Sequence, residues 1–131
     1  AGFLASAETL FHAEFPFSWR RNDRNVLEGL IDSIMIDHKA GMCLLLDWKT
    51  NDVSSSDVEM FRDVYRPQLA AYWKAVTEIT GLNVQAGLFS TSLGRVLLYS
   101  AEELEREWRR LEQLPPAQFE NKIRPDEVDG V

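Results

Sequence analysis

Three residues carry the chemistry that this sequence offers: Asp32, Asp47 and Lys49. Asp47 and Lys49 flank Trp48 at the end of the apolar run Leu44-Leu45-Leu46. Side chains two apart on a strand point to one face, so both share a side with Cys43 and Leu45, while Trp48 points the other way. Alone, an Asp-x-Lys tripeptide reads as an ion pair at a fraying strand end. Asp32 changes that reading, because it closes Gly29-Leu30-Ile31-Asp32 on the preceding strand and can neighbour Asp47 across the ladder. Two carboxylates so placed repel unless a cation lies between them. A pair of hard oxygen ligands with open positions suits Mg²⁺ or Mn²⁺, which keep waters and accept phosphate oxygens. A lysine beside such a cation can polarise its water and balance charge in a phosphorane-like transition state.

These residues need strands and a helix to hold them. Leu10 to Trp19 alternates with period two: Phe11, Ala13, Phe15, Phe17 and Trp19 on one face, His12 and Glu14 on the other. After the polar turn 20–25, a second strand is expected over 26–36 and a third over 42–49, with Asp37-His38-Lys39-Ala40-Gly41 as the turn between. Three strands joined by tight turns make an antiparallel meander. Ser54 to Asp57 reads as a helix cap, followed by a short helical segment through Val58, Phe61, Val64 and Tyr65. Pro67 then fits the first turn of a second, longer helix that reaches Thr80 and stops at Gly81. Strands over 84–90 and 95–99 and a charged amphipathic helix over 101–114 complete a βββαββα order. The fold class is α/β (α+β): a mixed central sheet begun by a three-strand meander and flanked by helices. The domain spans 1–114, and 115–131 reads as a polar, acidic, loosely held tail.

Gln68 and Tyr72 share one face of the long helix, with Tyr65 a turn earlier. Glu14 lies on the polar face of the first strand, as a supporting partner of the site or a strand-edge charge. His12 reads as a partly exposed strand histidine and His38 as a solvated turn residue. Ser54 to Ser56 has no base placed to make it a nucleophile. Two basic clusters carry an aromatic, 19–24 and 108–110; both read as solvated surface.

At 131 residues and 45% hydrophobic, the chain is long enough for one domain with its own core. Its net charge of −7 argues against capturing DNA unaided, though not against DNA chemistry inside a larger assembly. The single cysteine, Cys43, excludes an internal disulfide and any zinc or iron–sulfur site built from cysteines of this chain. A reducing, cytoplasmic setting is expected, with no membrane span and no secretory leader. The sequence opens on Ala1 and reads as a processed chain or a piece of a longer one.

Gly29-Leu30-Ile31-Asp32, Asp47-Trp48-Lys49-Thr50 and Tyr65-x-x-Gln68-Leu69-x-x-Tyr72, in that order, resemble the PD-(D/E)XK nuclease superfamily. Within it the likeness is to the RecB/AddA-type nuclease domain of bacterial helicase–nucleases, relatives of UvrD/Rep-type helicases. Glu14-Phe15-Pro16-Phe17 is similar to the strand that opens the AddA-like core. The resemblance covers roughly residues 10 to 92. It implies a restriction-endonuclease-like core and a metal-dependent DNA exonuclease that hydrolyses phosphodiesters with a metal-activated water. Asp32 and Asp47 would ligate Mg²⁺ or Mn²⁺ together with the backbone carbonyl of Trp48, and Lys49 would be the catalytic lysine. Thr50 would touch a phosphate or cap the strand, and Tyr65, Gln68 and Tyr72 would position the lysine or the DNA. It further implies an ATP-binding helicase domain in the same polypeptide, a partner subunit, and a role in double-strand-break repair and recombination. A stand-alone or CRISPR-adaptation exonuclease of the same superfamily and a non-catalytic DNA-binding scaffold are the rival readings. The family's upstream metal-ligating histidine is not matched by His12, so an N-terminal helix region is expected to be missing and the fragment to be weak or inactive. The lone cysteine departs from relatives that hold an iron–sulfur cluster.

Overall fold

In a computed structural model, which describes residues 9–128, five strands build a single sheet in the order β1-β2-β3-β4-β5. The elements are β1 (Thr9–Arg20), β2 (Val26–Asp37), β3 (Met42–Lys49), α1 (Val58–Thr80), β4 (Asn83–Ser90), β5 (Arg95–Tyr99), α2 (Ala101–Leu111), α3 (Pro116–Ile123) and the short α4 (Pro125–Val128). β1, β2 and β3 form the expected antiparallel meander. β4 lies parallel to β3, joined to it by the α1 crossover, and β5 returns antiparallel. The sheet is therefore mixed, as a restriction-endonuclease-like α+β fold requires. Pro16 is tolerated because β1 is an edge strand. No helix among the described residues is long and apolar enough to cross a membrane.

β3 alternates as its sequence dictates. Cys43, Leu45, Asp47 and Lys49 are buried, Met42, Leu44 and Leu46 are partly covered, and Trp48 is exposed. On β2 the buried positions change parity at Asp32: Leu27 and Ile31 before it, Ile34 and Ile36 after. The β1–β2 ladder lacks one pair at that point, stepping from Ala13↔Ser33 to Phe15↔Ile31. Glu14 stands in the gap with φ 52°, the one non-glycine residue with positive φ among those described. A left-handed residue costs on the order of 1–2 kcal/mol, and here it marks the place where the strand turns its buried face over beside Asp32.

α1 is one continuous helix of 23 residues, not the two segments expected around Pro67. Pro67 removes one backbone donor, which alone would cost about 3 kcal/mol in a helix interior. Both halves nevertheless bury apolar residues in the same core: Phe61 and Tyr65 before the proline, Leu69, Tyr72 and Val76 after it. Packing along the whole stripe outweighs the lost bond. Gly81 ends the helix in the left-handed conformation, φ 70°, donating to the Thr77 carbonyl. Ser54 and Asp57 precede the helix, but neither side chain accepts a backbone N–H; Ser54 Oγ donates to Asp57 Oδ2 at 2.8 Å instead.

α2 begins with a capping box: Glu103 N donates to Ser100 Oγ, and Ser100 N donates to Glu103 Oε2. Glu103 also takes Arg62 at 2.6 Å and Arg66 at 3.1 Å, tying α2 to α1. The two basic clusters meet: Trp19 and Trp108 are 5.8 Å apart, and Arg21 lies over the rings of Trp108 and Phe119. Trp108 is buried and Trp19 and Arg21 are partly covered, whereas Arg20, Asn22, Asp23, Arg24, Arg109 and Arg110 keep the expected solvated character. The segment expected to be a loose tail is helical over Pro116–Ile123, and Phe119 and Ile123 of α3 are buried in the core. Residues 129–131 and 1–8 lie outside the described residues.

Gly29 is required where β2 passes beneath α1. A β-carbon there would sit 2.6 Å from the Phe17 ring and 2.9 Å from the Tyr72 ring. Those rings pack edge to face at 5.1 Å. Gly29→Ala is expected to destabilise the fold by about 1–3 kcal/mol through overpacking, measured as a lowered urea midpoint. An unchanged midpoint would mean that the two rings can move apart freely.

Candidate active site

The β2–β3 ladder runs from Asp37↔Met42 to Ser33↔Leu46 and stops. The next pair in register would be Asp32 with Asp47, and there the strands part. Asp32, half-buried at this fork, accepts the Trp48 backbone N–H at 2.7 Å through Oδ2. Lys49 sends its own carbonyl the other way, to Thr91 N at 3.0 Å on the β4 side. Backbone groups alternate edges along a strand, so the Trp48 peptide faces the fork. The Trp48 indole folds onto the opposite sheet face, donating to Ser33 Oγ at 2.8 Å and lying 4.7 Å from the Phe89 ring.

Asp47 and Lys49 both point at α1 and are each 8% exposed. Lys49 Nζ lies 2.9 Å from Asp47 Oδ2, 3.2 Å from Asp126 Oδ2 and 3.4 Å from Gln68 Oε1. The Tyr65 ring covers it at 4.1 Å. Tyr65 donates its hydroxyl to Asp126 Oδ1 at 2.7 Å and accepts from Asn51 Nδ2 at 3.3 Å. Tyr72 is buried against Phe17 and lines, with Leu30, Gln68, Arg124 and Asp126, a recess of about 250 Å³ beside the lysine. A larger recess, about 1000 Å³, runs along α2 away from both carboxylates and is no part of this site.

The electrostatics follow from burial. Burial, with the Asp32 carboxyl alongside, pushes Asp47 up to about 7 in spite of Lys49. Burial alone would lower Lys49, but Asp47 and Asp126 outweigh it and hold the ammonium charged. Asp126 is likewise penalised by burial, yet the Tyr65 hydroxyl and Lys49 keep it below the usual carboxylate range. Cys43, buried in the core, has its thiol pushed up to about 12 and offers no reactive thiolate.

Asp47 Oδ2 is fully buried and, despite its ion-pair distance to Lys49, receives no well-directed hydrogen bond among the described residues. An oxygen left this way next to a second carboxylate fits a hard divalent cation, which supplies the charge that both acids lack. No group of three or more His, Cys, Asp or Glu converges among the described residues. The chain thus offers two carboxylates at the fork and leaves further positions to backbone oxygen, water and substrate.

The structure brings Asp32, Asp47, Lys49, Tyr65, Gln68 and Tyr72 to one place. Glu14 stands at the register position opposite Asp32 but its side chain is exposed. Thr50 is exposed just beyond β3. His12 is exposed and stacked on Phe15 at 5.7 Å, and His38 is an exposed turn residue. Asp126 and Asn51 were not legible from motif spacing. The apolar pair Phe119 and Ile123, four apart after Pro115-Pro116, is the signal that a packed helix would carry Asp126 back to the site.

A mixed sheet that forks between two carboxylate-bearing strands, with a lysine two residues past the second acid, defines a restriction-endonuclease-like nuclease domain. The chain belongs to the PD-(D/E)XK nuclease superfamily, which it matches over residues 4–127. Nucleases of this superfamily generally use divalent metal ions such as Mg²⁺ or Mn²⁺. The crystal structure of a "putative exonuclease" from Eubacterium rectale is similar in fold, with a TM-score of 0.55 and 12% sequence identity. The match covers 88% of this chain and 46% of that one, so the chain spans about half the length of its solved relative. No curated protein of similar sequence is found.

Proposed function

We propose that this chain cuts DNA as an exonuclease, with Mg²⁺ or Mn²⁺ held by Asp32, Asp47 and the Trp48 backbone carbonyl. The observation that carries the reading is the buried, hydrogen-bond-deficient Asp47 Oδ2 at a fork shared with Asp32, with Lys49 on the same face. When bound, the cation would supply Lewis-acid polarisation of the phosphodiester and of an attacking water. The protein's own groups do the rest. Lys49 puts a fixed positive charge where negative charge grows on the phosphoryl oxygens. Gln68 and the Tyr65 ring restrict the lysine's rotamers, so little reorganisation is needed when the substrate arrives. Tyr72 lines the recess through which a strand would reach the lysine. Thr50, exposed just beyond β3, would touch a phosphate, and Glu14 would support the site from β1.

The acidic charge of −7 makes sense if another part of the enzyme holds the DNA. We place the domain in a cytoplasmic helicase–nuclease that processes double-strand breaks, with an ATP-driven helicase in the same polypeptide and a partner subunit. A second version of this reading is an exonuclease of the same superfamily without a helicase, such as one used in CRISPR adaptation; the solved structure of similar fold is named a "putative exonuclease". Upstream helicase motifs in the full gene separate the two.

The test is digestion of end-labelled linear DNA and of a covalently closed circle by the full protein. Loss of the linear substrate alone, with Mg²⁺ or Mn²⁺ and not in EDTA, is expected. Cutting in EDTA, or no cutting with either metal, would contradict the assignment.

A further inference from the structure

We propose that Lys49 Nζ and the Tyr65 hydroxyl together form the seat for a phosphate of the DNA strand, and that the Asp126 carboxylate occupies this seat until substrate displaces it. The inference rests on the nuclease reading above and adds to it a binding site and its internal occupant. An ammonium has three N–H donors; Lys49 hydrogen-bonds Asp126 and Gln68 and lies at ion-pair distance, 2.9 Å, from Asp47. The face left over lies against the Tyr65 ring. As folded here, three acceptors and a ring enclose the ammonium, so a phosphate reaches it where one acceptor gives way.

The three acceptors are not equally held. Asp47 is buried on β3, within the sheet, and Gln68 belongs to a helix of 23 residues. Asp126 rides on the four-residue α4, and its side chain is 64% exposed. An ion pair with so exposed a member is weak and is readily exchanged for another anion. Its geometry is also the geometry a phosphate would adopt. One carboxylate oxygen takes the Tyr65 proton at 2.7 Å while the other meets Lys49 at 3.2 Å, so two oxygens on one centre bridge two donors. A phosphodiester offers the same pair in its two non-bridging oxygens, as charge-assisted acceptors. The recess lined by Leu30, Gln68, Tyr72, Arg124 and Asp126 gives the strand a way in at this point.

The test uses the full protein and a fluorescent single-stranded oligonucleotide, with Ca²⁺ in place of Mg²⁺ to hold the carboxylates without efficient cutting. Asp126→Asn is expected to bind at least fivefold tighter than wild type, and adding Tyr65→Phe is expected to remove most of that gain. With Mg²⁺, Asp126→Asn should lower KM while leaving kcat within about twofold. Asp63→Asn, a neutralisation on α1 in an ion pair with Arg66, controls for overall charge and should change affinity less than twofold. Unchanged or weaker binding by Asp126→Asn, an equal gain from Asp63→Asn, or a tenfold fall in kcat overturns the inference. If those results come from a wild type that cuts DNA, the nuclease reading survives alone. A wild type that neither binds nor cuts DNA with metal overturns both.

Discussion

Lys49→Met is expected to lower kcat by about 10²–10³-fold at saturating Mn²⁺ and pH 8, the loss typical of removing one preorganised charge from a developing anion. The lysine is held for this purpose by Asp47, Gln68 and the Tyr65 ring. Methionine keeps the apolar stem and removes only the ammonium. The fold should survive, because the carboxylate left behind can take up a proton, as Asp47 does up to about pH 7 even with the lysine present. Saturating metal and alkaline pH ensure that the loss reports the lysine and not an empty cation site. A variant that keeps more than a tenth of the wild-type kcat would mean that Lys49 is structural.

The second large effect is on stability without metal. Asp47 in the folded protein holds its proton to about pH 7, whereas an unfolded chain releases it near 3.8. Between those values the folded state binds more protons than the unfolded one. Stability therefore falls as pH rises from about 4 to about 7 and is level above that. A shift of this size corresponds to about 4 kcal/mol at most. Asp126 and Glu103 have depressed values and act in the opposite sense, contributing stability that is lost as pH drops below about 4. Urea unfolding in EDTA should find the wild type more stable at pH 5 than at pH 8. Asp47→Asn should remove that difference, and Mn²⁺ at pH 8 should restore stability to the wild type alone. A metal-free wild type that is more stable at pH 8 would contradict the buried-carboxylate account.

The opposition of Asp47 by Asp32 was legible because two local signals agreed. An apolar run broken by an acid and a base gives a strand end, and tight turns on both sides of β2 fix which strand lies beside it. β3 and β5 accordingly begin and end where the pattern puts them. The parallel pairing of β3 with β4 was not legible, since it depends on how α1 crosses the sheet and not on either strand's own sequence. Pro67 misled for a related reason: a local helix breaker was overruled by a stripe of core residues running through it. Glu14 has no sequence signature for its positive φ, although it lies where the sheet turns over beside Asp32. Asp126 was hidden by a segment whose charged residues outnumber the two apolar ones that dock it. Its contact with Lys49 spans 77 positions, beyond the reach of any periodicity.

The proposed chemistry depends on Asp32 and Asp47 jointly holding a divalent cation. Calorimetric titration of Mn²⁺ into the wild type and an Asp32→Ala/Asp47→Ala variant at pH 8 measures that directly. A single saturable site in the wild type, weakened at least a hundredfold in the variant, is the predicted result. Equal affinity in the two proteins would contradict it.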